Sequence, residues 1–446
     1  MNINLSFSIE RLIYILILCI SVSIFYQQVF VVNIGASLKI YEIISLFLLV
    51  LFICKDRPKI YGFCSLIIFL LFVVIPSISY IMYLFNADKE LYYLRFPEGR
   101  TSFRTNIYLA PTLLLVYYYF CWVVINYIIS SRLVYQNKEK VIRAFVISAT
   151  IISLYNLYSF ILVMKLGFPD LIPSFLDYRN SPTHVTGRFC GFSDEPGTYI
   201  ILQTWTVYYL YFYQSHLKLR HISFFRIVNT IALIMTLSSM VLPALLLMCI
   251  PLYRKLHIKK KIEVSIVSLF FVLGLMKIIS HYNLESFVHY IVVEKTTNYV
   301  SNPDNTLDSG AYRNFTSRLG MKIFKENPII GCGGGTSCFF LWKNEKKMGI
   351  KEWGERLSAT SYPQNCYVKV LAELGITGFI FLLLFLGLVL KKCWRYRKTS
   401  SLCNVSLLGT LFIVLVLMAV YPETSLFLWF NIALAMNEVY FLSKNE

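Results

Sequence analysis

Three stretches of this chain gather arginine, carboxylate and amide side chains among glycines and prolines, the residue types that grip anions and carry protons. The first is Thr186-Gly187-Arg188-Phe189-Cys190-Gly191-Phe192-Ser193-Asp194-Glu195-Pro196-Gly197-Thr198-Tyr199, which leads into an apolar run. Pro196 suits the first turn of a helix, and Asp194 and Glu195 suit the positive end of its dipole. Two readings stand. Either this is a well-capped helix with a boundary arginine, or Arg188 offers a fixed fork of donors to a phosphate or carboxylate.

The second stretch is Ser309-Gly310-Ala311-Tyr312-Arg313-Asn314-Phe315-Thr316-Ser317-Arg318, followed by Glu326-Asn327-Pro328-Ile329-Ile330-Gly331-Cys332-Gly333-Gly334-Gly335. The spacing predicts a short helix over 313–326, with Phe315, Leu319, Ile323 and Phe324 on one side and Arg318, Lys322 and Lys325 on another. Pro328 and Gly331 end it. A glycine-rich run can cradle phosphate through backbone N–H groups, but this one lacks the Gly-Lys-Ser/Thr ending of a nucleotide loop, and a plain turn is the simpler reading. The third stretch runs from Ser361-Tyr362-Pro363-Gln364-Asn365 to Glu373-Leu374-Gly375-Ile376-Thr377-Gly378. In it Lys369 and Glu373 stand four apart on one helical face, where they partly neutralise each other. Gly375 and Gly378 suit close helix approach.

The elements that must position these residues are dictated by solvent. The 446 residues are 57% apolar and 15% charged, with a mean hydropathy of +0.62, far from the mixture of soluble domains. Apolar stretches of roughly 20 residues, enough to cross ~30 Å of hydrocarbon as helix, recur from Arg11 almost to the C-terminus. A barrel would instead show short alternating segments. The expected fold is an all-α polytopic membrane protein. Its crossings fall at about 11–32, 37–54, 60–85, 106–130, 141–164, 196–215, 222–237, 239–254, 262–281, 365–390, 403–421 and 424–442, some twelve in number. The first is read as a retained helix and not a cleaved signal peptide.

The net charge of +18 sits mainly in short connections. Lys55, Arg57 and Lys59, then Arg132, Lys138 and Lys140, Lys218 and Arg220, Arg254 to Lys261, and Lys391 to Lys398 mark cytoplasmic loops by the positive-inside rule; the charge reports orientation, not nucleic-acid binding. One stretch decides the parity. Ile227 to Tyr253 is uncharged and reads either as one span bent at Pro243 or as two; basic clusters at both its ends favour two, with a turn near Ser238 and Ser239. Three sizeable outer connections follow, at about 86–105, 165–195 and His281 to Gln364, the last more than 80 residues long. Loops of that length are usually functional. The chain thus divides into membrane helices over 1–281, a large outer loop over 282–364, and further membrane helices over 365–446. The eleven cysteines contain no Cys-x-x-Cys pair, and no metal or redox cofactor is implied.

In this order the three stretches resemble the O-antigen polymerase and O-antigen ligase superfamily of bacterial envelope glycosyltransferases. The family's Arg-x-x-Gly with a following Glu-Pro fits Arg188, Gly191, Glu195 and Pro196. Its arginine some fifteen residues before Asn-Pro-x-x-Gly-x-Gly fits Arg313, Asn327, Pro328, Gly331 and Gly333. Its polar pair before Glu-Leu-Gly-x-x-Gly fits Asn365, Glu373, Leu374, Gly375 and Gly378. Gln364 stands where a ligase carries its essential histidine, and glutamine cannot shuttle a proton. That departure favours a Wzy-type polymerase over the ligase; Ser317, in place of a usual aromatic, is a lesser departure.

The resemblance implies a helical bundle of the GT-C type at the bacterial cytoplasmic membrane, with its active face outward. It implies a metal-independent transfer between polyprenyl-diphosphate-linked oligosaccharides, with a chain-length regulator as a further partner. Arg188 and Arg313 are then expected to hold diphosphate, with Arg318 a weaker third and Gln364 and Asn365 beside the substrate. Glu195 is the general-base candidate, with helix capping its alternative, and His184 is a further titratable group in the same loop. Trp342, Trp353 and the lysines from Lys343 to Lys351 read as an interfacial helix or, less simply, as sugar-stacking residues. A transporter of the same lipid-linked sugars is the rival of another class, but it would place its ionisable groups near the midplane.

Overall fold

The computed structural model describes residues 5–29, 31–33, 37–54, 62–86, 107–173, 176–177, 182–193, 196–255, 309–341, 362–419 and 425–444. Within them the apolar runs are helices. They are α1 (Leu5–Ser23), α2 (Ile40–Cys54), α3 (Gly62–Phe69), α4 (Ile75–Asn86), α5 (Leu109–Ser130), α6 (Arg132–Tyr158), the single-turn α7 (Thr183–Thr186), α8 (Pro196–Phe212), α9 (Gln214–Leu217), α10 (Ile222–Ile234), α11 (Val241–Lys255), α12 (Ser309–Glu326), α13 (Cys366–Tyr396), α14 (Ser401–Val416) and α15 (Leu426–Lys444). Leu70–Val74 joins α3 to α4, and Ser159–Lys165 extends α6, both as π-helix. A two-stranded antiparallel ribbon, β1 (Val32–Asn33) with β2 (Ser37–Leu38), precedes α2. The chain is an all-α membrane protein. Among the described residues five helices are long and apolar enough to cross a bilayer: Phe63–Phe85, Pro111–Ser130, Arg132–Lys165, Cys366–Tyr396 and Leu426–Lys444. Ile40–Cys54, Ile222–Ile234, Val241–Tyr253 and Ser401–Val416 are apolar but shorter. The expected span at 262–281 lies outside the described residues.

Helix ends fall where the sequence supplies a cap. Ser131 accepts the Val134 amide at 3.2 Å, Ser400 the Cys403 amide at 3.4 Å, and Asn365 the Tyr367 and Val368 amides at 3.0 and 3.3 Å. Each satisfies orphan donors of a first turn. The stretch from Ile227 to Tyr253 is two helices, not one bent span. The break covers 235–240, with Leu237 at φ 47°, while Pro243 lies inside the first turn of α11. Ahead of the break α10 runs antiparallel to α8: Arg226 Nε donates to Leu210 O at 3.0 Å at one end, and the Phe189 amide donates to Met235 O at 2.9 Å at the other.

Apolar packing alone gives little drive between helices in lipid, so polar contacts and close backbone approach set the register. Gln203 of α8 donates to Asn229 Oδ1 of α10 at 2.8 Å, Ser153 of α6 to the same atom at 3.1 Å, and Asn229 to Thr150 at 2.8 Å, all fully buried. Trp205 packs closely against Gly409 of α14, where a Cβ would meet the indole ring at 2.3 Å.

The contacts sort the connections onto two ends of the bundle. At one end Glu438 is bonded to Lys138 and to Ser400, Glu10 accepts the Leu133 amide, and His216 pairs with Glu139. The basic connections after α5, α9 and α13 therefore share this end. At the opposite end Tyr83 donates to Ile107 O, the Cys366 amide to Leu417 O, and the Gly191 amide to Asn156. That end carries all three stretches singled out by residue type.

Candidate active site at one end of the bundle

Arg188 follows the α7 turn, which Gly187 closes at φ +67°. The turn is fixed from below, because the buried Asn156 of α6 accepts both the Thr183 hydroxyl at 2.9 Å and the Gly191 amide at 3.1 Å. The half-buried guanidinium then reaches the break after α10: Nε donates to Thr236 O and Nη2 to Leu237 O, both at 3.1 Å. Two parallel donors on successive carbonyls at a helix C-terminus orient the whole fork. The boundary reading and the anion-binding reading of Arg188 are thus compatible, since the same contacts that cap α10 aim the side chain. Glu195, like Asp194, lies outside the described residues.

Arg313 and Arg318 stand on α12. The helix forms as expected from its period, with Phe315, Leu319 and Ile323 buried against Cys332, Leu341 and Ala372. Its opposite face, Asn314, Ser317, Arg318, Met321, Lys322 and Lys325, lines an open groove of about 650 Å³. Arg313 is half-buried; its carbonyl accepts the Thr316 and Ser317 hydroxyls at 3.2 and 2.7 Å, while its guanidinium has no hydrogen-bond or ion-pair partner among the described residues. Helix α12 is locked to the start of α13. A Cβ on Gly320 would fall 2.7 Å from Val368 and 2.9 Å from Pro363, and the Gln364 amide reaches Thr316 Oγ1 at 3.4 Å. Gln364 therefore sits one helical turn from Arg313, while the Asn365 side chain is engaged as the cap of α13.

Past α12 the chain turns at Asn327–Ile330 and lays Gly331 to Ser337 across a break in α13. The break is at Gly375, whose φ of 67° and ψ of −168° leave the helix. The carbonyls freed there are taken up by the loop: Cys332 and Gly333 amides donate to Ala372 O and Glu373 O at 2.8 and 3.1 Å. In return the Ile376 amide donates to Pro328 O at 2.9 Å. Backbone crosses backbone, so a Cβ on Gly331 would lie 2.3 Å from the Glu373 carbonyl carbon, and one on Gly375 would lie 2.2 Å from Ile329 O. Only glycine fits at either point. Gly378 makes its close contact with Leu374 of its own helix, so the expected close helix approach reduces to this loop crossing at Gly375.

The glycine-rich loop does cradle an anion, and the anion is internal. Glu373, fully buried, accepts the Gly335 amide at 3.0 Å, the Ser337 hydroxyl at 2.6 Å and the Ser337 amide at 3.4 Å, with Lys369 Nζ at 3.9 Å. Lys369 also lies 4.5 Å from the centre of the Tyr362 ring. Cys332, in the same loop, is no thiolate nucleophile: burial, then the Glu373 charge, push its thiol well above the ordinary range.

The structure thus joins Arg313, Arg318, Gln364 and Asn365 on one packed unit and places Arg188 on another at the same end. Trp342, Trp353 and Lys343 to Lys351 lie outside the described residues. Sequence reasoning passed over Asp170, which pairs with His184 at 3.2 Å and receives the Tyr155 hydroxyl at 2.9 Å. Its only signal was being acidic in an outer connection. No curated protein matches the chain. Residues 224–383 match the family described as O-antigen ligase, a stretch that takes in the turn held by Arg188, Arg313 with its helix, and the loop on Glu373; the match is consistent with the O-antigen polymerase and ligase superfamily that the three motifs resemble.

Proposed function

We propose that this protein polymerises lipid-linked oligosaccharide repeat units on the outer face of the bacterial cytoplasmic membrane, with about twelve crossings in an arrangement like that of GT-C glycosyltransferases. The family acts on lipid-linked oligosaccharides in a membrane. In the proposed reaction a hydroxyl of one repeat unit attacks the anomeric carbon of a chain carried on polyprenyl diphosphate. The new glycosidic C–O bond forms as the bond to diphosphate breaks, and the electron pair leaves on the diphosphate. The leaving group brings its own activation, so the protein's task is to stabilise its charge.

Arg188 and Arg313 are the groups assigned to that task, with Arg318 assisting and Gln364 and Asn365 beside the substrate. Preorganised donors of this kind contribute ~3–4 kcal/mol each to lowering a barrier. Arg188 suits the role because the Thr236 and Leu237 carbonyls already hold its fork in place. The sequence places Glu195 in the same loop as the first candidate for the hydroxyl's proton.

The observation that carries the polymerase reading is Gln364. The position at which the resembling ligases carry histidine packs on Thr316, one turn from Arg313, and here it is an amide that cannot accept a proton. The description of the matched family favours ligation of finished chains as the second reading. Both are tested by replacing Arg188 and Arg313 separately with alanine and separating the cell's surface polysaccharide on a gel. Loss of the long ladder with single repeats retained is expected. Long chains accumulating on the polyprenyl carrier would instead indicate ligation, and an intact ladder in both variants would refute the assignment.

A further inference from the structure

A second titratable constellation lies in the loop that carries Arg188. His184 Nδ1 is 3.2 Å from Asp170 Oδ2, with the Ser159 hydroxyl 3.5 Å from the same nitrogen. Asp170 itself accepts from two further donors: the Tyr155 hydroxyl, at 2.9 Å from Oδ1 and 3.0 Å from Oδ2, and the Ile172 amide, at 3.2 Å from Oδ1. A carboxylate beside an imidazole accepts from the ring nitrogen that bears the hydrogen. It therefore fixes the neutral imidazole with its hydrogen on Nδ1 and its lone pair on Nε2. Nε2 has no hydrogen-bond partner among the described residues, and the His184 side chain is 27% exposed.

The arrangement is an orienting carboxylate behind an imidazole whose far nitrogen faces outward, the form taken by general bases that deprotonate hydroxyls. It is also rigid. The α7 turn is pinned through Thr183 to Asn156, and Arg188, four residues on from His184, is pinned to the break after α10. One short loop therefore presents a proton acceptor and an anion-binding fork together.

We infer that His184, oriented by Asp170 and Tyr155, takes the proton of the attacking sugar hydroxyl; this rests on the polymerase reading above. As the hydroxyl oxygen bonds to the anomeric carbon, its proton passes to Nε2. The electron pair of the broken bond leaves with the diphosphate, and the imidazolium returns its proton to water. Asp170 and Tyr155 are positioning residues. Among the described residues the other titratable and charged groups beside it are Tyr158 and Lys165, towards and beyond the end of α6, and Asp177, Arg188 and Cys190 on the loop itself; those of α6 from Arg132 to Arg143 stand at the far end of that helix.

The test is a pH–rate profile of the purified full chain in lipid nanodiscs, coupling polyprenyl-diphosphate repeat units. His184→Asn keeps a nitrogen donor for Asp170 and removes the lone pair. It is expected to lower kcat by ~10²–10⁴ with KM unchanged and to abolish the acidic limb of the profile. Asp170→Asn removes the charge that favours imidazolium, so it is expected to lower kcat and move that limb to lower pH. Should the wild-type chain couple repeat units while His184→Asn keeps both rate and limb, the assignment of His184 is overturned and the polymerase reading stands. Absence of coupling by the wild-type chain overturns both.

Discussion

Glu373 Oε2 accepts the Gly335 amide at 3.0 Å, although the two residues are 38 apart in sequence. Successive N–H groups curved around an anion elsewhere hold phosphate. Here they hold a side chain of the helix on which the loop lies, and Ser337 and Lys369 complete the enclosure. The contact fastens the loop after α12, and through it the helix of Arg313, to the membrane bundle.

Glu373→Ala leaves Lys369 and the Gly335 and Ser337 donors buried without their acceptor. Removing one partner of a buried pair costs about 3–5 kcal/mol. Thermal unfolding of the purified protein in nanodiscs should show a clear loss of stability, with Glu373→Gln between the alanine variant and wild type. A variant melting with wild type would show that the carboxylate does not fasten the loop.

Gly331→Ala and Gly375→Ala each drive a methyl group into backbone, at 2.3 and 2.2 Å, and at φ values of +80° and +67°. Neither contact can be relieved by a side-chain rotation, so both variants should fail to accumulate as monodisperse protein in size-exclusion chromatography. Gly387, in the same helix as Gly375, has open space around it. Gly387→Ala should be tolerated or should stabilise by up to ~1 kcal/mol through helix propensity.

Arg188→Lys keeps the charge and loses the fork that spans Thr236 O and Leu237 O. A point charge on a flexible stem cannot bridge two carbonyls and aim at a third group. The coupling rate should therefore fall by nearly the ~10²–10³ expected for Arg188→Ala. A lysine variant with wild-type turnover would show that charge alone is needed.

Lys138, Glu438 and Ser400 tie α6, α15 and α14 together at the end opposite the candidate site. A double-mutant cycle of Lys138→Met and Glu438→Gln should return a coupling of ~0.5–3 kcal/mol in stability, with polymer length unchanged. A shift in chain length would instead connect this end to the reaction.

Among the described residues hydropathy and period were enough to locate the apolar helices, because crossing hydrocarbon demands apolar length and satisfied backbone, both local properties of sequence. They were also enough for α12, whose Phe315, Leu319 and Ile323 recur at helical spacing and are buried. The basic clusters around Ile227 to Tyr253 called for two helices, and the break at 235–240 lies between them.

What tertiary structure decided is which polar groups meet. Glu373 read as half of an i,i+4 pair with Lys369 and is also the anion inside a glycine loop. Arg188 read as a boundary residue or an anion ligand, and its fork is set by carbonyls 48 and 49 residues away. Asp170 drew no notice until the fold laid it against His184. These partners are backbone amides, carbonyls and single side chains brought together by folding, and a backbone group carries no residue identity that a sequence could display. Residue type and local period therefore determined where the described apolar helices lie and which side chains are available for chemistry; only the packing of α6, α8, α10, α12 and α13 determined what each one faces.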